Sequence, residues 1–499
     1  MTARVASFAD KQSAQPNGTT TPSVKGSTNA PPAASNGLAS ITQSAAKTTA
    51  LGKANIKQSS KLVAGNADKL DVWSIFTPAN MPSDAINLGQ GFMNWKPPQW
   101  VRDASQKAMD EDVMSNHYSH PRGRPRLLNA ISKHYSPQFE NLVQEGRQLK
   151  PEEIVVTAGA NEGMFAALLA FLEQGDEVIC IEPFFDQYLA SIIFNGGKPV
   201  YVPLHPPQTI EGKTHGSDWK LDLEEFEKAF TDKTKVVIVN TPHNPSGKCF
   251  TREELEGLAE VCTRHNVLVL ADEVVGNNDT ARTALNPVLI LIFLQYDCLT
   301  YDGTEHVRIA ALPGMWDRTL TVGSAGKSFA ATGWRVGWLI GPPELTLATL
   351  QASTRIIFCT NSPLQEAVAA GLEKATEYNF FPDQIQAYTE RRDTLTKYFD
   401  ELGLSYTVPE GSYFVLVNIE KIKIPQDYDF PAVVKGRGAD FEKCWFMAQE
   451  LKVVAIPPSE FYCQEHVHIG ERFARFAFCK DLDTLNAAGQ RLLKLKEYM

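Results

Sequence analysis

The chain has 499 residues, 43% of them hydrophobic, and a formal net charge of −10. That length allows two or three domains with a large core, and the acidic balance excludes the charge footprint of a nucleic-acid or anionic-membrane binder. Residues 1–66 are rich in Ser, Thr, Ala, Asn, Gln, Pro and Lys, with Asp10 the only acidic residue before Asp68 and no apolar periodicity. This tail reads as disordered. Its scarcity of acidic residues suits a mitochondrial transit peptide, whereas a single arginine, Arg4, does not. Cytoplasmic and mitochondrial locations both stay open, and the lack of an apolar signal core speaks against secretion. The eight cysteines form no CxxC pair, so no metal site or disulfide framework is expected.

From about residue 150 short apolar runs alternate with amphipathic helices. EEIVVTAGA reads as a strand and turn, and NEGMFAALLAFLEQG as a helix with a glycine stop. DEVICIEP, KVVIVNTP, NVLVLADEV and RTLTVGSAGK read as further strands, with LDLEEFEKAF and TREELEGLAEVCTRH as helices between them. Nearly continuous apolar strands between helices predict a mostly parallel sheet covered on both faces. After about residue 360 the texture changes to helices with a few strands, including SYFVLVNI and RFARFAFC. That predicts a second, α+β domain, joined by the segment near LDVWSIF and INLGQGF.

In such sheets ligands bind beyond the carboxyl ends of the strands. Four strand ends carry polar groups: Gly159, Ala160 and Asn161; Asn244 in NTPHNPSG; Asp272 with Glu273; and Ser324 with Lys327 in SAGKSFAATGWRVGW. Singly each has a bland reading as loop lysine, turn aspartate or Asn-Pro punctuation. Together, and in this order, they resemble the fold-type I, pyridoxal-phosphate-dependent aminotransferases of class I. NTPHNPSGK, IEPFFDQY, NLGQGF and the lysine motif are similar to the kynurenine aminotransferase and cysteine-S-conjugate β-lyase branch, from about Trp73 to the C-terminus.

The resemblance implies a large domain with a mostly parallel seven-stranded sheet over 116–355 and a small domain built from 67–115 and 356–499. It implies that Lys327 binds the aldehyde of pyridoxal 5'-phosphate covalently and then carries a proton at the substrate Cα. Asp272 would pair with the pyridine nitrogen, Asn244 would bond the ring's phenolic oxygen, and Phe185 would stack on the ring. Ala160 and Asn161, at a helix start, would hold the phosphate with Ser324 and Arg335. Tyr118 would reach the phosphate of a neighbouring subunit, so a homodimer with shared active sites is expected. Arg475 would grip the substrate carboxylate, with Gly91, Trp73 and Asn244 on the substrate side and Tyr462 either there or in the core. The reaction implied is amino transfer from L-kynurenine to a 2-oxo acid such as 2-oxoglutarate, giving kynurenate, with β-elimination from cysteine S-conjugates as a side activity. Another aromatic, glutamine or methionine aminotransferase, a lyase on the same fold, and a catalytically silent relative are the alternatives.

The chain departs from the family at one place. The family reads Asp-Glu-Val-Tyr where this chain has Asp272, Glu273, Val274 and Val275, and family-like text resumes at Tyr296. Tyr296 is therefore the expected phenolic-oxygen donor. The intervening residues 275–295 read as a translated intron: 21 codons keep frame, valine codons begin with GT and glutamine can be encoded by CAG. The competing reading is a lineage-specific loop, against which the apolar octamer PVLILIFL counts.

Overall fold

The structure, a computed structural model, describes residues 57, 59–65, 70–274 and 299–499. Most of the tail, residues 275–295 and Tyr296 lie outside the described residues. The strands are β1 (Ile86–Asn87), β2 (Ile154–Thr157), β3 (Glu177–Glu182), β4 (Lys198–His205), β5 (Lys213–His215), β6 (Lys220–Leu221) and β7 (Thr234–Asn240). They continue as β8 (Leu268–Asp272), β9 (Thr319–Ser324), β10 (Gly337–Ile340), β11 (Tyr406–Val408), β12 (Phe414–Asn418), β13 (Val453–Val454) and β14 (Phe473–Ala477).

The large sheet runs β2-β10-β9-β8-β7-β3-β4-β6. Pairings from β9 through β4 are parallel, while β10 is antiparallel to both neighbours and β6 is antiparallel to β4. The sheet thus has eight strands rather than the seven expected. The shortest, β6, has two residues, too few for any hydrophobic period to register. β7 and β9 are buried almost throughout because helices cover both faces. The helix Arg252–Arg264 shows how one is made. Thr251 and Glu254 form a reciprocal capping box, and Leu255, Leu258, Ala259 and Cys262 fall on one buried face. Each of the two leucines contributes roughly 1.5–3 kcal/mol by leaving water.

A second sheet, β14-β12-β11-β5, belongs to the C-terminal part, with β5 supplied from the middle of the chain. β1 pairs in parallel with β13, so the segment after residue 70 packs with the C-terminal part. Because β7, β8 and β9 run parallel with Asn240 beside Asp272 and Asp272 beside Val322, their carboxyl ends reach one edge together. β12 and β14 bring Phe414 and Arg475 toward that edge.

Candidate active site

Lys327 lies in the single-turn helix Ala325–Ser328 that follows β9. Its Nζ donates to the carbonyl of Gly91 at 2.8 Å and lies 5.6 Å from the centre of the Tyr413 ring. Burial pulls its ammonium down to about 8, with Arg475, Arg335 and Lys480 adding to the effect and the Cys479 side chain opposing it. Gly91 has no room for a side chain: a Cβ there would meet the rings of Phe414 and Tyr413 at 2.7 and 2.8 Å. That close approach is what lets its carbonyl reach the lysine.

Asp272 closes β8 and is buried. Its Oδ2 accepts from the hydroxyl of Tyr188 and its Oδ1 from the Val274 N–H at 3.3 Å. Burial pushes the carboxyl up, and the Tyr188 hydroxyl is the largest influence opposing it. Tyr188 lies on the helix Gln187–Phe194, and its ring stands at 85° to that of Phe185, 5.8 Å away. Tyr188 belongs to the IEPFFDQY motif but carried no sequence signal of its own, since an aromatic on an apolar helix face reads as core.

Arg475 is not on an exposed edge. Its side chain is buried, its Nη1 donates to Asn244 Oδ1 at 2.9 Å and its Nη2 to the Gly89 carbonyl at 2.7 Å. Its guanidinium carbon lies 4.3, 5.0 and 5.6 Å from the ring centres of Phe414, Phe461 and Trp73. Burial pulls it down to about 10, with Asp186 opposing, so the charge persists at neutral pH. Nε, also buried, has no hydrogen-bond partner. A buried cation with an unspent donor suits a carboxylate ligand. Trp73 is fixed by its indole N–H, which donates to Asp186 Oδ2 at 2.6 Å. Asn244 is held from below, its N–H donating to Asn240 Oδ1 at 2.8 Å. Its loop is pinned by the buried Lys248, which donates to both carboxylate oxygens of Glu254 at 2.8 Å.

The phosphate side expected from the sequence also comes together. Ala160 and Asn161 open the helix Ala160–Phe171, preceded by Gly159 at φ 82°. The Arg335 guanidinium lies where a Cβ on Gly159 would be, and Gly337 lets the backbone of Gly159 and Ala160 approach, where its own Cβ would be 2.8–2.9 Å away. Ser324, buried at the end of β9, starts the Lys327 helix. Helix N–H groups, a hydroxyl and an open-sided guanidinium form a cradle for a dianion. Two expected residues stand apart. Tyr118 is 80% exposed and touches Phe358 edge-on at 5.0 Å. Tyr462 is buried among the side chains beneath β3 and β7, which makes it a core residue.

The family model for class I and II aminotransferases matches residues 83–492. The chain is 46% identical over 441 residues to "Probable kynurenine–oxoglutarate transaminase BNA3" of Saccharomyces cerevisiae, covering 86% of this chain and 93% of that one. It is 40% identical to the kynurenine–oxoglutarate transaminase of Dictyostelium discoideum, covering 85% and 94%. The crystal structure of Bna3p from S. cerevisiae superposes with a TM-score of 0.80 at 45% identity, over 89% of this chain and all of that one.

Proposed function

The chain belongs to the class I and II aminotransferases, a pyridoxal-phosphate-dependent family, and on that premise we propose that its amino donor is L-kynurenine and its acceptor a 2-oxo acid such as 2-oxoglutarate. The observation that carries the reading is the aromatic surround of Arg475, made by Trp73, Phe414 and Phe461. It is supported by the activity for which the relatives at 46% and 40% identity are named.

Bound pyridoxal phosphate supplies an electron-withdrawing ring that accepts the negative charge developing at the substrate Cα. The cradle of Ala160, Asn161, Ser324 and Arg335 fits its phosphate, because Arg335 fills the space a side chain on Gly159 would take. Arg475 binds the substrate carboxylate and fixes the Cα–H direction. Lys327, with its proton affinity lowered to about 8, would take the proton from the substrate Cα and carry it to the cofactor carbon on the other side of the amino nitrogen. Asp272 would hold a proton on the pyridine nitrogen, and the Tyr188 hydroxyl favours the charged form of that carboxylate and orients it. Asn244 accepts from Arg475 through its Oδ1 and would use its side-chain N–H for the ring's oxygen. Trp73, Phe185 and Phe414 exclude water, which strengthens each of these charges.

A homodimer is part of the proposal. Val113, Met114 and Tyr118 are 72%, 59% and 80% exposed, and Phe358, beside Tyr118, is 51% exposed. Large apolar side chains gathered at one surface mark an interface, and there Tyr118 reaches the partner's phosphate cradle. A substrate panel tests the donor assignment. L-Kynurenine should give a kcat/KM at least about tenfold above methionine, glutamine and phenylalanine, a modest binding difference of roughly 1.4 kcal/mol. A panel led by methionine or glutamine would replace kynurenine while leaving the aminotransferase chemistry intact.

A further inference from the structure

Away from Lys327 and its partners, one trio among the described residues converges as a metal ion requires: Glu182, Cys463 and His466. Glu182 ends β3 and is fully buried. Cys463 and His466 are three residues apart on a turn after Phe461, and both are half-buried. Cys463 Sγ lies 3.5 Å from His466 Nδ1, and that same nitrogen lies 2.5 Å from Glu182 Oε2. All three atoms are within 4.8 Å of one another.

We propose that Glu182, Cys463 and His466 form a binding site for a divalent late transition-metal ion, with Zn2+ as the reference ion.

An ion pair between Glu182 and His466 accounts for only part of the arrangement. An imidazole nitrogen has one proton or one lone pair, directed along one line in the ring plane. Here Nδ1 faces a carboxylate oxygen and a sulfur, and one hydrogen bond serves only one of them. A metal at the point between the three atoms serves all of them. Zn–S near 2.3 Å and Zn–N near 2.0–2.1 Å, at a tetrahedral angle, place sulfur and nitrogen about 3.5 Å apart, which is the separation observed. The carboxylate oxygen stands closer to Nδ1 than that geometry needs and must withdraw by a little under ~1 Å. The other oxygen, Oε1, accepts from the Cys463 N–H at 2.5 Å and ties the carboxylate to the same turn.

Charge and composition balance. The carboxylate and a thiolate neutralise a dication, and the thiol proton passes to solvent as the metal–sulfur bond forms. Sulfur and nitrogen donors select zinc-like ions over Ca2+ and Mg2+, which take oxygen ligands. The partial exposure of Cys463 and His466 gives the ion an entry side and leaves a fourth position for water. The expectation of no metal site rested on the absence of CxxC pairs, and Cys463 and His466 with a carboxylate 281 residues earlier form no local motif.

The site joins the end of β3 to the 461–466 turn, beside the backbone bond from the Phe184 N–H to the Phe461 carbonyl at 2.9 Å. Bound metal would therefore stabilise the fold as any native-state ligand does. The test uses untagged, chelator-dialysed holoenzyme titrated calorimetrically with Zn2+ alone, with bound metal and Tm measured after gel filtration. One Zn2+ per chain and a raised Tm are expected. Cys463→Ser and His466→Gln should each weaken binding by about tenfold or more while matching the wild-type Tm without metal. Cys359→Ser, a half-buried thiol elsewhere, should bind as wild type does. Less than ~0.1 equivalent bound by the wild type, or unaltered binding in Cys463→Ser, would overturn the proposal.

Discussion

Tyr188 gives its hydroxyl to Asp272, and that single bond offsets part of the cost of a buried carboxylate at the carboxyl end of β8. A hydrogen bond to a charged group is worth about 1.5–3 kcal/mol. Tyr188→Phe removes it and leaves Asp272 easier to protonate, so its hold on a protonated pyridine nitrogen weakens. The cofactor dissociation constant should rise about ten- to a hundredfold, measured by equilibrium dialysis, with the fold intact. An unchanged constant would take Tyr188 out of the account. Lys327 makes a prediction with a sign. Its proton affinity is lowered to about 8, so the neutral amine prevails above that pH and is lost below it. Reconstitution of the apoprotein with pyridoxal phosphate should therefore quicken with a half-point near pH 8 and level off above it. A half-point near the ordinary lysine value of 10.5 would contradict the burial argument. Asp272 was legible in the sequence because it closes an apolar strand, and Lys327 because it sits in the Gly/Ser turn just after one. Tyr188 and Asp186 were not, because nothing local distinguishes a phenol or a turn aspartate aimed inward from one that merely packs or caps.

At the scale of elements, the strand ends carried most of what could be read. β3, β7, β8 and β9 are five to seven residues of largely apolar text, and their boundaries stand out. β5 and β6 have three and two residues, too few to register a period, and β5 also pairs with β11, far along the chain. The 275–295 segment raises a different question, because both flanks are tightly placed. Asp272 keeps its register beside Val322, and Glu273 is bonded in the interior by Arg308 and, at 3.3 Å, by His306. On the far side Leu299 and Tyr301 are buried, and Thr300 pairs with Gly411. Removing 275–295 joins Val274 to Tyr296 and leaves three residues to reach Leu299. We expect the shortened chain to have higher specific activity and less aggregation, since PVLILIFL no longer needs covering. Equal specific activity and equal solubility of the two purified forms would refute this.

At the scale of the molecule, the site depends on bringing three distant stretches together. Gly89 and Gly91 come from the N-terminal segment and accept from Arg475 of the C-terminal sheet and from Lys327, on the helix after β9. A site assembled this way is invisible to spacing, and only the resemblance connected its parts in the sequence. The exposed group around Val113, Met114 and Tyr118 extends the argument to a second copy. Val113→Asp combined with Met114→Asp should convert a dimer to a monomer by light scattering and reduce activity in step. A wild-type monomer with full activity would remove the shared-site proposal. The most direct measurement of the central claim is product formation from L-kynurenine and 2-oxoglutarate. The wild type should form kynurenate and glutamate in equal amounts, and Lys327→Ala neither. Failure of the wild type to form kynurenate, or undiminished formation by Lys327→Ala, would contradict it.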